Sequence, residues 1–324
     1  MKTRYIADFK PGDNVDDLFF VRAVKVLNYK NKPGRYVSLI LSDRTGEMAA
    51  RIWDADDNDI NLPEKVFVGC KGEVVEFAGT PEIQISSWEL IDKAAVDSAD
   101  FIPLTPLDVG NMQKDVAGMA SSMTNPYLRQ LLEELINDKE LFHQYSTVPA
   151  AKAIHQAYIG GLLEHSLKTA KIVAGIADLY PAVDKELAIT GALLHDIGKI
   201  DEYEVEYSID ISDEGRLLGH IVLGLEILNS LIERMAGFPE DLRLALKHII
   251  VSHHGTYEWQ SPKRPKTIEA CLVHYADAVE ADMWKFSDLK EKYRGSRWSP
   301  WDKSLERYIF VDDTAGEGNA NGHD

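Results

Sequence analysis

Residues 191–200 read GALLHDIGKI, an apolar run that leads straight into His195 and Asp196. An imidazole or carboxylate buried without a partner costs on the order of 2–7 kcal/mol in desolvation. Any fold this chain adopts must therefore supply a hydrogen-bond network, an ion pair or a metal ion at that point. The same demand recurs along the chain: His165 lies in LLEHSL, His220 in LLGHIV, His253 and His254 in VSHHGT, and Asp277 in HYADAV. A single histidine on an apolar helix is more often a satisfied core residue than a ligand. Seven ligand-type residues on successive amphipathic segments call for one cause, and a shared metal centre supplies it. Imidazole and carboxylate donors together favour Mn, Fe, Zn, Ni or Co over Ca or Mg. A carboxylate able to bridge two ions would place Asp196 at the middle of a two-metal site.

The segments bearing these residues have helical period. YLRQLLEELINDKELFHQY (127–145) spaces Leu128, Leu131, Leu132 and Leu135 along one face, and 162–180, 185–199, 218–237, 240–255 and 267–286 follow suit. Before residue 95 the period is two. LFFVRAVKVLN (18–28), RYVSLILSD (35–43), EMAARIWD (47–54), VFVGCKGEVVEF (66–77) and PEIQISSWELI (81–91) read as strands, with turn residues in NYKNKPG and DRTG. Five strands with a long connection between the third and fourth suit a small Greek-key barrel of the OB type. The expected fold class is multidomain α+β: an all-β OB-type barrel over 1–95, a linker over 96–110, an all-α helical bundle over 111–311, and a polar, disordered tail over 312–324.

Charge and composition narrow the function classes. The chain of 324 residues has a formal net charge of −18, with 13 Lys/Arg against 16 Asp/Glu up to residue 95 and 22 against 37 beyond it. The acidity thus belongs to the helical part, where a polyanionic substrate would need metal ions or local basic residues to approach. The two cysteines, Cys70 and Cys271, form no CxxC. The N-terminus has no apolar core and no 18 uncharged apolar residues run together, so neither a signal peptide nor a membrane span is expected. A reduced, cytoplasmic setting follows from that composition.

Longer stretches carry a resemblance. AIHQAYIGGLLEHSL (153–167), LLHDIGKI (193–200), SHHGTYEW (252–259), SPKRPKTIEA (261–270) and SLERYIF (304–310) resemble the HD superfamily of metal-dependent phosphohydrolases. With an OB-type domain in front, the chain from about residue 15 to 310 resembles YhaM-type 3′→5′ exoribonucleases. The resemblance implies one metal held by His165, His195, Asp196 and Asp277, and a second held by Asp196, His220 and one or both of His253 and His254. Adjacent residues on a helix point about 100° apart, so two ligands there need a helix end, which Gly255 makes plausible. The implied reaction is hydrolysis of single-stranded RNA, with single-stranded DNA as a further substrate, from the 3′ end to 5′-mononucleotides by a two-metal-activated water. Manganese is the first choice of metal.

Further residues take expected roles. Lys199, one turn after Asp196, would neutralise a phosphate oxygen, or serve as an ordinary lysine near a helix end. Lys263, Arg264 and Lys266 form a basic loop in an acidic region and would contact substrate, as would His155. On the barrel, Arg51 and Trp53 share a face, and with Tyr36 they are candidates for a single-strand surface. Two other functions compete: an HD-domain phosphohydrolase of nucleotides or cyclic dinucleotides, and a non-catalytic single-strand-binding adaptor. The first leaves the OB-type domain without a purpose, and the second predicts missing ligands where every position is filled.

Overall fold

A computed structural model describes residues 2–77, 79–152 and 156–311. The chain forms two compact units, Met1–Leu104 with Glu204–Asp210, and Thr105–Tyr203 with Ile211–Asp324. The expected tail, 312–324, lies outside the described residues.

The first unit is a closed five-stranded barrel. Its strands are β1 (Asn14–Asn28), β2 (Arg35–Asp43), β3 (Gly46–Ile52), β4 (Phe67–Phe77) and β5 (Thr80–Ile91), in the order β1-β2-β3-β5-β4. β3 and β5 pair in parallel, and the other pairs are antiparallel. The alternation in RYVSLILSD does what period two predicts: Val37, Leu39 and Leu41 point into the barrel core with Phe19, Val21, Ala50, Val68, Val74 and Ile83. The β3–β4 connection holds one helical turn, α1 (Asp57–Ile60), capped by Asp56. Asp59 on that turn accepts from Trp88 Nε1 at 2.8 Å and ties the connection to β5.

The second unit is helical: α2 (Val109–Ser122), α3 (Pro126–Asn137), α4 (Lys139–Thr147), α5 (Gly161–Ala177), α6 (Lys185–Leu194), α7 (Lys199–Glu202), α8 (Asp213–Leu217), α9 (Gly219–Glu233), α10 (Glu240–Ser252) and α11 (Ile268–Lys292). Between α7 and α8 the chain forms a two-stranded ribbon, β6 (Tyr203–Val205) and β7 (Ile209–Ile211), most of which belongs to the first unit. Its core gathers Leu128, Leu131, Leu132 and Leu135 with apolar residues of α5, α6, α9, α10 and α11. Among the described residues no helix is long and apolar enough to cross a membrane.

Two long helical runs of the sequence are broken. The 127–145 run is α3 and α4, divided at Asp138. That side chain accepts from Leu141 N at 3.1 Å as an N-cap and from Arg234 Nη1 at 2.8 Å. The 185–199 run stops at Leu194, and residues 195–198 turn before α7 begins. Gly198 explains how close that turn comes to α9. A Cβ there would lie 1.9 Å from the His220 carbonyl oxygen and 2.4 Å from Gly224 N, so no other residue fits without separating two backbones.

Candidate metal centre

The helical unit brings all seven ligand-type residues to one place. His165 comes from the second turn of α5, His195 caps the end of α6, Asp196 follows in the turn, and His220 is the second residue of α9. His253 and His254 come just after α10 ends at Ser252, and Asp277 projects from α11. Gly255, at φ +79°, lets the chain leave α10 in the left-handed region, over a His274 ring too close to admit a Cβ.

The residues form two donor groups. His165, His195 and Asp277 offer ligand atoms within 4.8 Å of one another, and so do His220, His253 and His254. Asp196 stands between the groups. Its Oδ2 is 3.5 Å from His165 Nε2 and 3.4 Å from His195 Nε2, while Oδ1 is 3.6 Å from His220 Nε2 and 3.4 Å from His253 Nε2. One carboxylate thus turns an oxygen to each group.

The far side of each ring is occupied. Nδ1 of His195 meets the Ala192 carbonyl at 2.8 Å, that of His253 the Ile250 carbonyl at 2.7 Å, and that of His254 the Trp259 carbonyl at 2.8 Å. His165 Nδ1 meets Glu280 Oε2 at 2.7 Å, and His220 Nδ1 meets Glu202 Oε1 at 3.1 Å. An acceptor on Nδ1 puts the donor proton there and leaves Nε2 with its lone pair, the state a metal-binding imidazole needs. The pattern fixes a proton on Nδ1 in all five rings and turns every Nε2 toward the centre, where that of His165 also meets Asp277 Oδ1 at 3.2 Å.

Electrostatics divide the groups. Burial, then the neighbouring His253 and His220, push His254 down to about 4, and burial lowers His253 as well, so both are neutral near pH 7. His165 goes the other way. Burial opposes its charge, but Asp277 and Glu280 outweigh that and raise it to about 10. Burial would also raise Asp196, yet the Lys199 ammonium and His195 hold its carboxyl well below the usual range. Asp277 is depressed against burial by its bond to His165.

These residues fit divalent metal. Asp196 Oδ1, His220 Nε2 and His253 Nε2 are buried without a hydrogen-bond partner, and buried polar atoms rarely stay so. The unpaired atoms converge on one point and are all nitrogen or oxygen donors of the kind divalent metals take.

The other candidate residues fall in three places. Lys199 is buried, with Nζ 2.5 Å from Asp196 Oδ2, so the ammonium is directed at the central carboxylate. Lys263, Arg264 and Lys266 sit on an exposed loop after the histidine pair, with the Arg264 guanidinium 5.0 Å from the Tyr257 ring. His155 lies outside the described residues. On the barrel, Tyr36 and Trp53 have ring centroids 5.0 Å apart, and Arg51 lies 5.4 Å from the Trp53 ring and 3.1 Å from Glu82 Oε2. Trp53 sits one residue past the end of β3.

Four participants, Tyr29, Glu202, Glu280 and Gln156, are not singled out by the sequence motifs. Tyr29 stacks on Trp53 at 5.9 Å and completes the barrel's aromatic trio. Glu202 and Glu280 stand behind His220 and His165. A signal existed for Glu280, which is three residues beyond Asp277 and so shares its helix face. The two carboxylates grip opposite nitrogens of His165, Asp277 Oδ1 at 3.2 Å from Nε2. Gln156 Nε2 donates to the other oxygen of Glu280 at 2.7 Å and fixes it in turn.

Comparison with known proteins agrees with this geometry. The HD domain family model matches residues 162–282, and the model for an OB-fold nucleic acid binding domain matches residues 21–91. A protein of Bacillus velezensis called 3′-5′ exoribonuclease YhaM is 30% identical over 306 residues, covering 94% of this chain and 96% of that one. This chain belongs to the YhaM family. Two further YhaM proteins, from Geobacillus sp. and Bacillus subtilis, are each 29% identical over 94% of this chain, covering 94% and 96% of their own lengths. As a YhaM-family member with an HD domain and two donor groups, the protein is a metal-dependent phosphohydrolase acting on nucleic acids.

Proposed function

We propose that the protein shortens single-stranded RNA from its 3′ end and releases 5′-mononucleotides. The observation that carries this reading is the Asp196 carboxylate set between two convergent donor groups, in a chain that also has an OB barrel. The name shared by the three relatives supplies the direction and the polymer. His165, His195 and Asp277 would hold one ion, His220, His253 and His254 the other, and Asp196 both. Manganese is the first choice. When bound, two such ions lower the pKa of water and neutralise the oxygens of a phosphodiester.

The chain's own groups do the rest. The acceptors behind Nδ1 orient the five imidazoles before substrate arrives. Lys199 aligns Asp196 and adds a positive charge where a phosphate would approach. Lys263, Arg264 and Lys266 offset the surrounding acidity and draw the strand in. Tyr36, Trp53 and Arg51, joined by Tyr29, offer rings and a cation to bases upstream of the cut, with single-stranded DNA as the alternative polymer.

Asp196→Ala tests this. Turnover should vanish while single-strand binding by the barrel stays within about twofold. Full activity in that variant would remove the basis for the two-ion site.

A further inference from the structure

Just beyond the second donor group the chain does something that burial does not explain. A 3-10 turn over Tyr257–Trp259 leaves Tyr257 58% and Trp259 60% exposed. These rings do not hang on a loose loop. Ser261 is buried, its N bonds the Thr256 carbonyl at 3.1 Å, and its Oγ reaches the carbonyls of Val251 at 3.2 Å and Lys263 at 2.6 Å. Lys263 N returns to the Val251 carbonyl at 3.2 Å, so the loop is fastened to the end of α10 at several points.

The turn is also fastened to the metal-binding residues. The Trp259 carbonyl accepts from His254 Nδ1 at 2.8 Å, and the Trp259 ring lies 6.3 Å from that of His274. His274 in turn bonds the His253 carbonyl at 2.7 Å. The Trp259 backbone is thus held beside the second donor group by the bond that orients His254, and its ring lies near His274. On the same stretch of chain, the Arg264 guanidinium lies over the Tyr257 ring at 5.0 Å, with Lys263 and Lys266 exposed beside it in sequence.

An exposed indole on a fastened turn, with a guanidinium held over the other ring of that turn, matches what single-stranded nucleic acid offers, a flat base beside an anionic phosphate. We propose that Trp259 is a stacking platform for a base next to the scissile phosphate, and that Arg264, held by Tyr257, contacts the neighbouring phosphate. The inference rests on the exonuclease reading, and it names how the site grips the end of its strand. Because the base is recognised by its π-face, the platform accepts all four bases and rejects a missing one.

The test uses 5′-labelled RNA with one abasic residue at the last, second-last or third-last position. Wild-type protein, Trp259→Ala and Trp259→Phe are compared by digestion with Mn²⁺ and by fluorescence anisotropy in EDTA. Wild type should be slowed roughly five- to a hundredfold by an abasic residue at one of these positions, the range of a single base–aromatic stack. Trp259→Ala should degrade intact and abasic strands alike, at the wild type's abasic rate, and Trp259→Phe should restore most of the difference. In EDTA the intact strand should bind Trp259→Ala more weakly than wild type, the abasic strand equally.

A purely structural Trp259 would slow both strands equally in the alanine variant and preserve the abasic difference, which overturns the inference. If strands bind in a Trp259-dependent way but are never shortened, the exonuclease reading fails and the platform stands. If wild type digests RNA and ignores abasic positions, the platform fails alone.

Discussion

Gly198→Ala is the smallest change that should separate the two halves of the site. The added Cβ would stand 1.9 Å from the His220 carbonyl oxygen and 2.4 Å from Gly224 N, against an ordinary contact of about 3.4 Å or more. Both neighbours are backbone atoms, so no rotamer change relieves the overlap, and α9 must move back by an ångström or so. Overpacking of this kind costs about 1–3 kcal/mol. In a unit of this size that lowers Tm by about 2–12 °C. The displacement falls on His220, whose Nε2 is 3.6 Å from Asp196 Oδ1. His165 and Asp277 lie on α5 and α11, away from the overlap, and His195 stays tied to the end of α6 by its Nδ1 bond to the Ala192 carbonyl. The variant should therefore fold, bind one Mn²⁺ by elemental analysis after dialysis where wild type binds two, and lose turnover. Two bound ions with wild-type turnover would refute the claim that this glycine sets the spacing of the second group.

Three other outcomes are open to measurement. His165 stands at about 10 without metal, so near pH 7 an ion entering that group must displace its proton. Affinity there should rise by up to tenfold per pH unit and level off above about pH 10. Calorimetry in buffers of differing ionisation enthalpy should show about one proton released, and no buffer dependence would contradict the assignment. Glu280→Ala removes the acceptor behind His165 and should weaken metal binding about 10- to 100-fold, with Glu280→Asp recovering part of it; an unchanged affinity would make Glu280 a bystander. Trp53→Ala should weaken single-stranded RNA binding about five- to a hundredfold in anisotropy without altering cleavage of a small phosphodiester such as bis(p-nitrophenyl) phosphate.

The barrel was legible because its signal is local. Val37, Leu39 and Leu41 alternate within one strand, and turn residues separate the strands. The ligand series was legible for another reason, since polar groups such as His195 and Asp196 inside LLHDIG have few ways to be buried. What stayed hidden depends on distance or on weak breaks. The end of α6 at Leu194 carries no proline, and the glycine that follows it, Gly198, acts through a contact with α9 twenty-odd residues on. Asp138 looks like one more polar residue on a helix until Arg234, far along the chain, meets it. Glu202 lies among charged residues with nothing to mark it, because its partner His220 arrives from another helix. The ribbon β6–β7 did carry a local signal, the alternation YEVEYSIDI (203–211), but its two three-residue strands are short and lie inside an otherwise helical stretch. The candidate donor residues are local in the sequence, but the groups that aim them are set by tertiary contact.

The central claim is directional, metal-dependent hydrolysis at the Asp196 site. The most direct measurement is a gel time course on one single-stranded RNA labelled in parallel at its 5′ and 3′ ends, with Mn²⁺ and with EDTA, for wild type and Asp196→Ala. With Mn²⁺ and wild type alone, the 5′ label should move down a single-nucleotide ladder while the 3′ label appears at once as mononucleotide. A 5′ label released first, internal cuts, or the same ladder from Asp196→Ala or in EDTA would contradict that claim.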